Sequence, residues 1–158
     1  MPEIWFYQLA RSDAATLVLS LLRRGLDRGL RLSVQTRSAT LIQAWSALLW
    51  SVEDTGFLAH GQEGDSGDER LPILLTASAA NANCSQFRFY VDGALPVLRE
   101  IRSADGFSRA SIVFAGDDAA GVAAARGLWK EARDFGLVAR YQCEDAAGTW
   151  NEAVPSAD

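Results

Sequence analysis

The sequence predicts an α/β fold, a mostly parallel sheet with helices on both faces. Short β-prone runs alternate with stretches whose apolar residues recur at helical spacing, and strands separated in this way are joined by helical crossovers. No internal repeat and no linker divides the 158 residues. Residues 1–151 are therefore expected to form a single α/β domain and 152–158 a flexible C-terminal tail.

Each element has a local reason. Ile4-Trp5-Phe6-Tyr7-Gln8-Leu9 is short, aromatic and β-prone, and forms the first strand. Ser12 or Asp13 caps the helix that follows, in which Leu17, Leu21, Leu22 and Leu26 recur at helical spacing and after which Gly29 marks the end. Arg31 to Gln35 is a second strand with Leu32 and Val34 on one face. Thr36 or Ser38 opens a second helix with Leu41, Ala44, Trp45 and Leu48 as its apolar stripe. Residues 53–70 have no period and carry Glu63, Asp65, Asp68 and Glu69, the composition of a solvated loop.

Leu71 to Thr76 resumes as a buried strand, with Pro72 at its start where no ladder donor is lost. Asn81-Ala82-Asn83 is turn chemistry, and Phe87 to Val91 is another strand. Asp92-Gly93 is expected to start a third helix through Leu95, Leu98 and Ile101. Ala110 to Phe114 is a fifth strand, Asp117 to Phe135 a fourth helix, and Leu137 to Tyr141 a last strand.

Composition narrows the function. With 49% hydrophobic and 22% charged residues the chain can bury an adequate core. Met1-Pro2-Glu3 lacks the basic start of a signal peptide, and no apolar run approaches the roughly 20 residues that span a bilayer, so a cytoplasmic protein is expected. Cys84 and Cys143 stand far apart and outside any metal spacing, as two buried thiols would. His60 is the sole histidine, which disfavours a zinc site. The net charge of −5 argues against nucleic-acid binding over a broad surface, and the positive charge is almost all arginine, with Lys130 the one lysine.

No catalytic constellation emerges, and no cofactor or metal is expected. The first strand-to-helix turn, Leu9 to Asp13, has no glycine to cradle a phosphate. Gly116 to Gly121 has the G-x-x-x-x-G spacing of a phosphate loop but continues Val122-Ala123 where that motif needs Lys and Ser or Thr. Asp117 and Asp118 would repel phosphate there, and are better explained as acids at a helix N-terminus. There is no G-x-S-x-G elbow, His60 has no matching nucleophile motif, and Glu53-Asp54 belong to an acidic loop.

The fourth helix has two faces. Gly121, Ala125, Leu128, Ala132 and Phe135 form a core-facing stripe. Val122, Arg126, Trp129 and Arg133 form a second stripe about 100° around the helix, flanked by Lys130. If the first stripe is buried, Trp129 sits at the margin, bracketed by guanidinium groups. On one reading Trp129 packs under a neighbouring loop and the arginines keep the helix soluble. On another the face is a pocket for a short acidic peptide ending in an aromatic residue, the ring on Trp129 and Val122 and the carboxylates on Arg126, Lys130 or Arg133. Single-stranded nucleic acid is a competing ligand, since a base stacks on an indole flanked by arginine.

Several stretches together resemble a known family. They are Phe6-Tyr7-Gln8-Leu9, the segment Trp50…Phe57-Leu58…His60-Gly61, Pro72-Ile73-Leu74-Leu75, the basic and aromatic last helix, Gly136-Leu137, Tyr141-Gln142 and Trp150. In order and spacing they resemble the chi subunit of bacterial DNA polymerase III, with Ala59 where the family usually has proline. The resemblance implies a Rossmann-like fold without a phosphate-binding loop, and a non-catalytic part of the clamp-loader assembly. It implies binding to the acidic, phenylalanine-terminated C-terminal tail of single-stranded-DNA-binding protein. Arg126, Trp129 and Lys130 match the family's tail-binding pattern, and Val122 and Arg133 join them from the helix geometry. Contact with the small psi subunit carries over to Trp50 and Phe57, although Ala59 and the acidic insertion after His60 depart from the family there. The alternatives are a direct single-stranded nucleic-acid binder and a degenerate nucleotide-binding enzyme.

Overall fold

The structure, a computed structural model, describes residues 2–51, 60–62, 67, 70–78, 83–103 and 107–155. Within these the chain runs β1 (Glu3–Leu9), α1 (Ala14–Asp27), β2 (Leu32–Gln35), α2 (Ala39–Trp50), β3 (Gly61–Gln62), β4 (Ile73–Thr76), β5 (Phe87–Tyr90), α3 (Leu98–Ser103), β6 (Arg109–Ala115), α4 (Ala119–Asp134), β7 (Val138–Glu144) and β8 (Trp150–Ala153). The strands form one sheet in the order β3-β4-β2-β5-β6-β1-β7-β8. Every pairing is parallel except the last, where β8 returns antiparallel along β7. The expected α/β architecture is therefore present.

Alternation along the strands divides the core in two. Ile4, Phe6, Ile112, Phe114 and Tyr141 point to one face, where Leu98 and Ile101 of α3 and Ala125, Leu128 and Ala132 of α4 cover them. Tyr7, Leu9, Val34, Phe89 and Val113 point to the other, under Val18 and Leu22 of α1 and Ile42, Trp45 and Leu49 of α2. The central strands are closed to water on both faces, as a parallel sheet requires.

Four details correct the sequence reading. The buried face of α2 is Ile42, Trp45, Ser46 and Leu49, one residue round from the expected Leu41, Ala44 and Leu48. This helix is apolar on most sides, so periodicity alone does not select its inner face. Polar anchors do: the Trp45 indole N–H donates to Asp92 at 2.8 Å, and Ser46 bonds the His60 ring at 3.1 Å.

The third helix starts at Leu98, not at Asp92-Gly93. Both of those residues have positive φ, 54° and 84°, and make a tight turn closed by the Ala94 N–H on the Val91 carbonyl. Pro96 then has no N–H to give and keeps Leu95 out of the helical region. Two strands were also unforeseen: β3, of two residues, and β8, which draws Glu152 and Ala153 out of the expected tail by pairing them with Gln142 and Tyr141. Cys84 is exposed and Cys143 half-buried, where buried thiols were expected.

Candidate functional site

In an open α/β sheet ligands bind beyond the carboxyl ends of the strands. Here that corner is filled by the protein itself. The Glu144 carboxylate, at the end of β7, accepts the backbone N–H groups of Ala10, Arg11 and Ser12 at 3.0, 2.7 and 2.7 Å, and also the Ser12 hydroxyl. Burial raises the Glu144 pKa, but the Ser12 hydroxyl and the three N–H groups outweigh it and hold the carboxyl down at about 2.

Beside this corner a cleft of about 440 Å³ is lined by Asp13, Asp92, Asp118 and Arg37 among apolar residues. Its charged lining is three carboxylates to one guanidinium, the wrong sign for a phosphate.

The phosphate-loop spacing from Gly116 to Gly121 also has an internal explanation. A Cβ on Gly116 would lie 2.8 Å from the Leu9 carbonyl oxygen, where β6 closes onto β1. A Cβ on Gly121 would lie 2.6 Å from Asp118 Oδ2. That carboxylate is the α4 N-cap and accepts the Gly121 N–H at 3.1 Å. The glycines allow close packing of a strand end and a helix cap, and Asp118 is the helix-terminal acid expected.

The α4 residues are arranged as follows. Ala125, Leu128 and Ala132 are buried against the sheet. Val122 and Trp129 are half-buried and pack on the margin of that core, as do Phe135, Ala139, Cys143 and Ala153. Lys130 and Arg133 are exposed, and Arg126 is half-buried between Trp129 and the cap end of the helix. The Arg133 guanidinium carbon lies 4.8 Å from the centre of the Trp129 ring, a cation–π contact. The Trp129 indole N–H and the Arg126 Nε are buried and have no acceptor among the described residues.

Arg126 also acts on β7. Burial pushes the Tyr141 hydroxyl and the Cys143 thiol up, while the Arg126 guanidinium pulls both down. The Tyr141 hydroxyl donates to Gln8 Oε1 at 2.6 Å. Tyr141, Cys143 and Ala153 were not singled out from the sequence as neighbours of the α4 face. Alternation along β7 puts Ala139, Tyr141 and Cys143 on one side, but the hairpin to β8 that adds Ala153 depends on turn geometry.

The segment after α2 is only partly described. Trp50 is 59% exposed, and its ring centre lies 5.0 Å from that of His60. His60 is thus a packing residue, bonded to Ser46. Phe57 lies outside the described residues.

Fold and site define a doubly wound α/β domain whose first strand-to-helix turn is occupied by its own carboxylate. More particularly, the chain belongs to the DNA polymerase III chi subunit (HolC) family, whose model matches residues 1–140. The family supplies an accessory subunit of the replicative polymerase, not a catalytic one. At a significant level no curated protein matches the chain. No described helix is long and apolar enough to cross a membrane.

Proposed function

We propose that this protein is a non-catalytic adaptor that links the clamp loader of the replicative polymerase to single-stranded-DNA-binding protein by binding the acidic C-terminal tail of that protein on α4. Val122, Arg126, Trp129, Lys130 and Arg133 form the site. The observation that carries the reading is the Trp129–Arg133 pair: a half-buried indole with a guanidinium over its ring, on a helix edge that also presents Arg126 and Lys130. The tail's terminal aromatic ring packs against Trp129 and Val122, and its carboxylates pair with the guanidinium and ammonium groups. The unused donors on Trp129 and Arg126 support the same reading, because an acidic peptide brings acceptors.

A second contact, with the psi subunit or another clamp-loader component, is proposed through Trp50 and Phe57. The exposure of Trp50 favours it, since a large aromatic on the surface is a frequent anchor of an interface. Contact with nucleic acid through α4 is then indirect, by way of the coated strand.

Calorimetric titration with an acidic peptide ending in Pro-Phe tests the tail site. Trp129→Ala and Arg126→Ala should each weaken binding by about 1–3 kcal/mol, the scale of an interface hot spot. Absence of binding to the wild-type protein would remove the adaptor reading.

A further inference from the structure

A second basic and aromatic surface lies on the opposite face of the sheet. From β6 the chain crosses under α4 to β7, then turns directly into the antiparallel β8. No described helix therefore returns to cover the α1 side of β7 and β8, and on β1 the helix α1 buries Tyr7 and Leu9 but leaves Trp5 half-buried. The residues that alternation places there are Trp5 and Tyr7 on β1, Arg140 and Gln142 on β7, and Trp150 and Glu152 on β8. A covered sheet would fill these positions with aliphatic side chains.

Two adjoining cavities, of about 460 and 380 Å³, run between α1 and this face. Trp5, Tyr7, Leu21 and Arg24 line both, so they form one groove. Rings and guanidinium groups alternate along it. Arg28 lies over Phe87 at 5.6 Å, Arg109 over Phe87 and Trp5 at 4.6 and 4.4 Å, and Arg140 over Trp5 at 5.5 Å. Trp150 meets Tyr7 edge-on at 5.8 Å, beside Arg24.

The carboxylates nearby are Glu3, Asp27 and Glu152. Glu3 is engaged by the Trp5 indole N–H at 2.8 Å and by Arg109 at 3.7 Å, and Glu152 by Arg140 at 3.3 Å. Arg24 and Arg28 are exposed at the C-terminal end of α1, with the exposed Asp27 as the one carboxylate between them, so the groove keeps a small local positive charge on a chain whose net charge is −5.

We infer that this groove binds single-stranded nucleic acid, with bases against Trp5 and Trp150 and phosphates on Arg24 and Arg28. A ligand that carries a ring and an anion in every repeat matches the alternation of guanidinium and ring, whereas an acidic peptide brings many anions and few rings. From β5 to β8 the sheet spans four inter-strand spacings, about 19 Å, which accommodates a few nucleotides. A duplex keeps its bases stacked inside and has no rings to offer the groove. Acidic surroundings make the contact weak, and the small number of phosphates engaged makes its salt dependence modest. With two phosphates engaged, log K against log salt has a slope of about −1.4.

The test is fluorescence anisotropy of a labelled oligothymidylate on the whole protein at low and raised salt. Arg24→Glu and Arg28→Glu, both surface changes that leave the circular dichroism unchanged, should each weaken binding about tenfold or more. Arg126→Ala on α4 should leave it unchanged, which separates this groove from the tail site whichever of the two fails. The inference is overturned by absence of saturable binding, by equal affinity for a duplex of the same length, or by a loss on Arg126→Ala as large as on Arg24→Glu. An acidic peptide that displaces the oligonucleotide and loses its own affinity on Arg24→Glu would assign the groove to a protein tail and overturn it too.

Discussion

Glu144 holds Ser12 at two points: Oε1 accepts its backbone N–H at 2.7 Å and Oε2 its hydroxyl at 2.5 Å. The turn so gripped follows the first strand, where related α/β folds point successive N–H groups at a phosphate. In this protein the donors are used up by a side chain from β7. The grip also ties β7 to the start of α1 and so closes one end of the sheet.

The Glu144 interaction makes stability depend on pH in a defined window. The carboxyl is held at about 2, below its ordinary 4.5, so its contribution is present in full above about pH 4.5 and is lost as the pH falls toward 2. Glu144→Gln removes the charge and the titration. Urea denaturation of both proteins should show wild type the more stable at pH 7, with the gap narrowing steadily below about pH 4.5. A gap independent of pH would mean that the bonds to Ser12 and its neighbours do not favour the ionised form.

Gly116→Ala should destabilise the fold by about 1–3 kcal/mol. The added methyl meets the Leu9 carbonyl oxygen at 2.8 Å, a backbone atom that cannot turn aside as a side chain would. Thermal unfolding measures the loss, and an unchanged midpoint would show that the β1–β6 junction relaxes freely.

Asp118→Ala removes the N-cap of α4, whose carboxylate accepts the Gly121 N–H. The expected cost is about 0.5–2 kcal/mol, read from urea denaturation. Asp118→Asn should recover most of it, because the amide oxygen still accepts the bond. Failure of asparagine to rescue would assign the effect to charge at the helix terminus.

Trp50→Ala separates stability from partner binding. Trp50 is 59% exposed, with its ring centre 5.0 Å from that of His60, so the change should alter stability by about 0.5 kcal/mol or less. If the psi contact runs through it, the same variant should bind the psi subunit about 1–3 kcal/mol more weakly in calorimetry. Unchanged affinity would place that contact elsewhere.

The alternation of elements and the two-faced α4 could be read from local sequence, which also narrows the caps to Ser12 or Asp13, Thr36 or Ser38, and the Asp117-Asp118 pair, of which the structure selects Asp13, Ser38 and Asp118. The inner face of α2 could not, since a helix apolar on most sides gives no phase until Trp45 finds Asp92, 47 residues away. The start of α3 is ambiguous in sequence because Asp92-Gly93 suits a left-handed turn as well as a helix cap, and Pro96 settles which. Glu144 carries no local signal of its role. Its partners lie more than 130 residues distant, and nothing around it in sequence sets it apart from a surface acid. The aromatic face beside α1 was missed because Trp5, Arg109, Arg140 and Trp150 meet only through strand order.

The indole N–H signals of the five tryptophans offer the sharpest test of the tail site. In a proton–nitrogen correlation spectrum recorded during titration with the acidic Pro-Phe peptide, the Trp129 signal should move first and furthest, because its N–H has no acceptor among the described residues. Trp5 and Trp45, already bonded to Glu3 and Asp92, should stay in place. Movement of Trp5, Trp50 or Trp150 with Trp129 stationary would contradict tail binding on α4.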